Sequence, residues 1–285
     1  MNKTAGWING FLGVLIFSGS LPATRLAVID IDPTFLTMAR ATIAGLLGLI
    51  LLLAFREPLP RRKDVMSLIV VALGVVVGFP LLTGIALQYM TSAHAIVFIG
   101  LLPLSTALFA VLRGGENPRP LFWLFSVAGG LIVASYAYGQ GSQSTLLGDV
   151  LMLGAIIVCG LGYAEGASLS RRLGGWQVIC WALVFSLPVM MPLSILTRPE
   201  TWSGIGAMAW GGLAYVTLFS MLIGFFFWYR GLAQGGAAAV GQLQLLQPFF
   251  GLMLAASIAG EPVSMGMVLT AGVVVLCVAG AKRFA

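Results

Sequence analysis

The feature that most restricts this chain is the spacing of its charge. Long apolar stretches recur at residues 6–28, 34–55, 65–88, 92–112, 120–139, 146–168, 176–196, 206–230, 236–258 and 263–281, and most ionisable side chains collect between them. A helix needs about 20 mostly apolar residues to cross a bilayer. It also satisfies its own backbone hydrogen bonds where no water can do so. The pattern predicts an all-α integral membrane protein of ten transmembrane helices joined by short links. Only 8% of the 285 residues are charged, against about 25% in an ordinary soluble domain. A soluble enzyme, a coiled coil, a disordered chain and a sizeable extramembrane domain are all excluded.

The formal net charge is +6. The basic residues flank apolar spans, so they read as membrane anchors rather than as a nucleic-acid surface. Placing the N-terminus inside puts 12 of the 15 Lys and Arg residues in cytoplasmic segments. The bias of such residues toward the cytoplasm therefore predicts cytoplasmic N- and C-termini in a multi-pass protein of the bacterial inner (plasma) membrane. The first span is too long for the apolar core of a cleavable signal, and no small-x-small site closes it. Trp7, Trp123, Trp176, Trp202, Trp210 and Trp228 fall near span ends, as an interfacial belt predicts, while Trp181 lies deeper. Cys159, Cys180 and Cys277 each sit inside a span without a CxxC pair. One histidine, His94, cannot make a multi-histidine metal site. No metal, no cofactor and no covalent chemistry are expected, and no GxxxxGK[ST] phosphate loop occurs.

The two halves match at an offset of 145. Pro103 falls on Pro248, Gly115 on Gly260 and Glu116 on Glu261. An offset of 141 puts Gly13 on Gly154 and Gly19 on Gly160. The expected repeats are residues 1–139 and 146–285, five spans each. Five is odd, so successive copies must cross the membrane in opposite directions. Inverted repeats are a common architecture of secondary transporters, with two nearly equivalent arrangements open to one side or the other.

Residues 93–116 read AHAIVFIGLLPLSTALFAVLRGGE and residues 237–261 read AAAVGQLQLLQPFFGLMLAASIAGE. Each has a small-residue start, a central proline and a closing Gly-Glu. With Phe17-Ser18-Gly19-Ser20 and Arg40, these segments resemble the drug/metabolite transporter superfamily, in its ten-helix branch of two EamA-type repeats. The nearest resemblance within it is to aromatic amino acid exporters of the YddG type. The resemblance covers essentially the whole chain. It implies a central cavity between the repeats and export from the cytoplasm by alternating access.

Polar groups at membrane depth are costly without partners, so they mark candidate positions. Gln244 and Gln247 share a helical face with Gly251, and their amides suit an amino-acid zwitterion or interhelical hydrogen bonds equally. His94 begins the fourth span, and Glu165 lies in the sixth near Tyr163. Both could touch cargo or carry protons, or be satisfied locally, Glu165 by Arg171 or Arg172. Gln88 and Tyr89 close the third span. Tyr163 and Tyr215 are preferred over the aromatic run at the end of the eighth span, because each carries a hydroxyl inside a span. Arg40 either snorkels to the interface or pairs with a substrate carboxylate. Pro22, Pro80, Pro103 and Pro248 are read as helix-interior prolines that bend their spans.

These residues and the resemblance together predict a secondary transporter exporting amino acids, aromatic ones included, with the bilayer as its other partner and protons as the candidate coupling ion. The alternatives are a related exporter of drugs, cationic compounds or nucleotide sugars, an integral membrane enzyme, or a non-transporting scaffold.

Overall fold

The computed structural model describes residues 3–90, 95, 98–139, 145–247, 249–251, 253–254 and 265–285. The apolar stretches fold as helices. The helices are α1 (Thr4–Ala27), α2 (Pro33–Ala54), α3 (Arg62–Ala86), α4 (Leu102–Leu112), α5 (Pro120–Gly139), α6 (Leu146–Leu173), α7 (Gly175–Leu196), α8 (Ala207–Gly235), α9 (Ala237–Gly241) and α10 (Met265–Phe284). Among the described residues six of them are long and apolar enough to cross a membrane by themselves: α1, α2, α3, α6, α7 and α8. The starts are chemically specified. Asp32 caps α2, its carboxylate accepting the Thr34 and Phe35 N–H groups, with Pro33 in the first turn, where a missing N–H costs nothing. The Thr145 hydroxyl accepts the Gly148 N–H at the start of α6.

Helix pairing follows a two-fold rule. The α1–α8 contact has its counterpart in α3–α6, while α2 pairs with α7, α4 with α9 and α5 with α10. In the last three pairs equivalent helices of the two halves thus meet one another, and they do so antiparallel. Along α2 and α7, Thr42 meets Ser194, Gly45 meets Leu187, and Gly48 meets Cys180. Along α5 and α10, Phe125 stacks on Phe284 and Gly129 approaches Cys277. Only an inverted relation between the halves turns equivalent helices antiparallel. The described helices therefore form an all-α membrane fold of two inverted halves.

Lipid tails supply little hydrophobic drive between helices, so close packing must. A Cβ on Gly231 would lie 2.5 Å from the Gly10 nitrogen, and one on Gly6 would lie 2.6 Å from the Gly235 nitrogen. These glycines let α1 and α8 touch backbone to backbone.

Three departures from regular helix were not expected. Residues 72–78 of α3 and 216–223 of α8 are wide π-helical turns. The second stretch is the first displaced by the repeat offset of 145, to within a residue. Pro80 frees the Val76 carbonyl from its normal partner. Phe225 occupies the corresponding place in α8, so proline alone does not produce the feature. Pro103 does not bend a helix interior. The chain turns at Gly100–Leu101, and Pro103 stands in the first turn of α4. The chain continues from α9 as a tightened 3₁₀ stretch, Gln242–Leu246. Pro22 follows a break in α1 at Gly19. Pro248 lies outside the described residues.

Trp228 also departs from expectation. It is fully buried, with its indole N–H unpartnered, rather than part of the interfacial belt. Trp202 and Trp210 are exposed and stacked, as a belt position predicts. Trp181 is buried, and so are the three free cysteines.

Candidate functional site

A narrow cavity of about 60 Å³ lies where the two halves meet. Phe17, Ser20 and Thr24 of α1, Arg40 of α2, and Val75, Phe79, Pro80, Thr83 and Gly84 of α3 line one side. Cys159 and Tyr163 of α6, Ser220 and Phe225 of α8, and Gln247 beyond the 3₁₀ stretch line the other. Ile99 and Leu102 of the fourth span complete it. The volume holds a few water molecules and falls far below the ~300 Å³ or more of a usual small-molecule site.

The wall has two chemical regions. The floor is aromatic: Phe17 and Phe225 have centroids 5.0 Å apart, and Tyr163 contacts Phe225 at 6.0 Å and Trp228 at 5.4 Å. Tilted and edge-on contacts of this kind are favourable ring geometries. The second region carries the polar groups, uncharged apart from Arg40, set among the apolar side chains of Val75, Pro80, Ile99 and Leu102. Ser20 donates to the Ser220 hydroxyl at 2.8 Å, and the Arg40 guanidinium donates to the same oxygen at 3.4 Å. Gln247 donates to the Phe17 carbonyl at 3.4 Å, which leaves its amide oxygen as an acceptor.

The cavity is sealed from one end of the bundle. The Glu116 carboxylate accepts the Ala237 N–H at 2.8 Å and the Ala238 N–H at 2.9 Å, capping α9 from the end of α4. Gly236, at φ +91, makes the turn that presents those two amides. At the same end Arg113 pairs with Glu165 at 3.2 Å and Arg172 with Asp64 at 2.8 Å. Tyr229 donates to the Gly162 carbonyl at 3.2 Å, joining α8 to α6 below the aromatic floor. The other end is tied by Asp30 accepting the Gly206 N–H and Tyr89 accepting the Thr145 N–H, both through links between spans.

The sequence itself decides which family builds this arrangement. The profile of the EamA-like transporter family matches the chain twice, over residues 4–137 and 146–281. The chain belongs to the EamA-like transporter family. An uncharacterized transporter of Bacillus subtilis (strain 168), YdeK, is 68% identical over the full length of both proteins. A second uncharacterized transporter of that organism, YyaM, is 24% identical over 93% of this chain and 90% of its own. A solved crystal structure of a protein 20% identical superposes with a TM-score of 0.82 over the whole of both chains, which fixes the fold. A multi-pass membrane transporter of small molecules is the shared reading of this EamA-like chain and its relatives.

The expected site residues divide. Tyr163 and Gln247 line the cavity of this EamA-like transporter, as does Pro80. Gln244 is fully buried beside the Tyr163 hydroxyl but outside hydrogen-bonding geometry and off the cavity wall. Tyr215 is not on the wall either. Its hydroxyl donates to the Ile16 carbonyl at 2.7 Å, and its ring fills the space left by Gly19. Gln88 and Tyr89 are exposed at the end of α3. Glu165 is held by Arg113 and by the Ser67 hydroxyl rather than by Arg171 or Arg172. His94 lies outside the described residues.

Arg40 does not snorkel: it is 9% exposed. Ser220, Thr24 and Thr83 were not singled out from sequence, and Ser20 entered only within the Phe17-Ser18-Gly19-Ser20 segment of the resemblance. Single hydroxyls in an apolar span carry no pattern of their own, since a helix can absorb them by bonding to a carbonyl one turn back.

Proposed function

We propose that this EamA-like transporter exports amino acids, aromatic ones included, and related small metabolites from the cytoplasm across the inner (plasma) membrane by alternating access. The observation that carries the reading is the cavity between the inverted halves, with a hydroxyl and amide wall on one region and the Phe17, Tyr163 and Phe225 rings on the other. Rings whose centroids lie 5–6 Å apart in tilted and edge-on contacts can receive an aromatic side chain. The free oxygen of Gln247 can accept from an ammonium group. The wide turns of α3 and α8 flank this cavity at matching places in residues 1–139 and 146–285, which we take as the two repeats. They supply loosened helix on both sides of the site, the kind of departure that recurs at functional positions.

The sealed, basic end is the cytoplasmic one, with both termini there. It carries Arg56, Arg61, Arg113, Arg171, Arg172 and Lys282, as the positive-inside bias requires. Export then needs the Glu116, Tyr229 and aromatic contacts to part and re-form in each cycle. Glu165 and His94 are the ionisable groups to replace first in a test of proton coupling.

Counterflow in proteoliposomes with a panel of labelled amino acids tests the reading. Accumulation above empty vesicles is expected for aromatic members. If no amino acid accumulates, the proposed cargo is wrong. Expression should also protect cells against toxic amino-acid analogues, which neither the enzyme nor the scaffold alternative predicts.

A further inference from the structure

The donors and acceptors on the cavity wall do not balance. Arg40 is 9% exposed at membrane depth, and its Nε–H has no acceptor. No carboxylate lies within ion-pairing distance of it among the described residues. The two acids nearest the membrane interior are already committed: Glu165 to Arg113 and Ser67, and Asp64 to Arg172. Its one hydrogen bond is the long one to Ser220, at 3.4 Å. The Ser220 oxygen accepts from both Arg40 and Ser20, so its own proton remains to be donated. Across the cavity the Thr83 hydroxyl is buried and unpartnered. Three residues that line one small cavity therefore carry donors without a full set of acceptors, and no acidic side chain is found on its described wall.

An uncompensated cation in a membrane interior is expensive, and an unmade hydrogen bond to a buried charged group costs more than a neutral one. A wall built this way is complementary to an anionic oxygen group that arrives with the cargo. We propose that Arg40, Ser220 and Thr83 form a carboxylate subsite, and that this transporter selects cargo by a carboxylate group.

The proposal deepens the amino-acid reading and rests on the same cavity. It assigns the polar region to the carboxylate and leaves the aromatic floor for the side chain. One guanidinium with two hydroxyls matches a monoanion. A phosphate dianion would call for a second cation, and none lines the described wall. The same balance disfavours cationic cargo, because Arg40 repels it and no acid attracts it.

Binding to the purified full-length protein in detergent tests this without requiring transport. The signal is the intrinsic fluorescence of the tryptophans, Trp228 lying against the aromatic floor. Four probes share one ring: phenylalanine, 3-phenylpropionate without the ammonium, phenylalaninamide, and phenylethylamine without the carboxylate. Inorganic phosphate serves as a competitor. Phenylalanine and phenylpropionate are expected to bind about tenfold to a hundredfold more tightly than the amide and the amine. Arg40→Gln should remove that preference, with Arg40→Lys restoring part of it. Phosphate should not compete.

Equal binding of acid and amine, unchanged carboxylate affinity in Arg40→Gln, or effective competition by phosphate each overturns the proposal. If Arg40→Gln does not fold, Ser220→Ala and the wild-type ligand series decide it. Phenylpropionate binding that depends on Arg40, with no phenylalanine binding, upholds the subsite and overturns the amino-acid cargo. Phenylalanine binding that ignores Arg40 does the reverse.

Discussion

Replacing Glu116 by alanine removes the group that closes the basic end of the bundle. The carboxylate makes two hydrogen bonds to the first amides of α9, at 2.8 and 2.9 Å. It also lies 4.0 Å from Arg171. Loss of a helix N-cap alone costs about 0.5–2 kcal/mol. Hydrogen bonds to a charged group are worth about 1.5–3 kcal/mol each when buried, and the Glu116 side chain is 21% exposed. The Arg171 contact is long and partly exposed, and adds little. A total of about 2–3 kcal/mol follows, nearer the low end of that sum because water can replace part of what is lost.

Because the cap joins the end of α4 to the start of α9, that energy should favour the arrangement closed at this end. Losing it shifts the balance toward the open arrangement by about 30-fold to 160-fold. Spin labels at Asn117→Cys and Arg230→Cys, on a background lacking Cys159, Cys180 and Cys277, report the separation by pulsed electron resonance. Glu116→Ala should enlarge the long-distance population, and Glu116→Gln, which keeps one acceptor oxygen, should give an intermediate shift. An unchanged distance distribution in folded Glu116→Ala protein would show that the cap persists in both arrangements, and the gating argument would fail.

Gly231→Val should lower the melting temperature in detergent sharply, by more than the ~1–3 kcal/mol of ordinary overpacking, since the new Cβ meets the Gly10 backbone at 2.5 Å; a neutral effect would mean that α1 and α8 are not in backbone contact. Glu165→Gln should destabilise by about 1 kcal/mol, because its Arg113 partner is 52% exposed and screened. The double variant with Arg113→Gln should cost less than the two single losses added, and strict additivity would deny the pair.

The helical frame was legible because the bilayer imposes a length. Spans expected at 34–55 and 176–196 are observed as Pro33–Ala54 and Gly175–Leu196. Inversion was legible from parity and is visible in the antiparallel α2–α7 pair. The wide turns were not legible. Residues 72–78 read ALGVVVG and residues 216–223 read VTLFSMLI, and neither string announces a π-turn. The position of Arg40 was half legible. It stands in the second turn of α2, within reach of the interface on a sequence count, and the burial comes from α8 bringing Ser220 against it. The available signal was that no acid lies within one turn of Arg40 on its own helix. Tyr215 and Glu165 lie off the cavity wall for a related reason. A polar group inside a span must find a partner, but sequence does not say whether that partner is cargo, a carbonyl such as that of Ile16, or an arginine such as Arg113.

Access to the cavity from each side of the membrane tests the central claim most directly. With the three native cysteines replaced, Thr24→Cys places a single thiol on the wall, outside the proposed carboxylate subsite. Membrane-impermeant thiol reagents are then applied to right-side-out and to inside-out vesicles. Two inverted halves that rock about a shared site predict labelling from both faces, slowed from both by bound cargo. Labelling confined to one face, or absent from both in folded protein, would contradict the account.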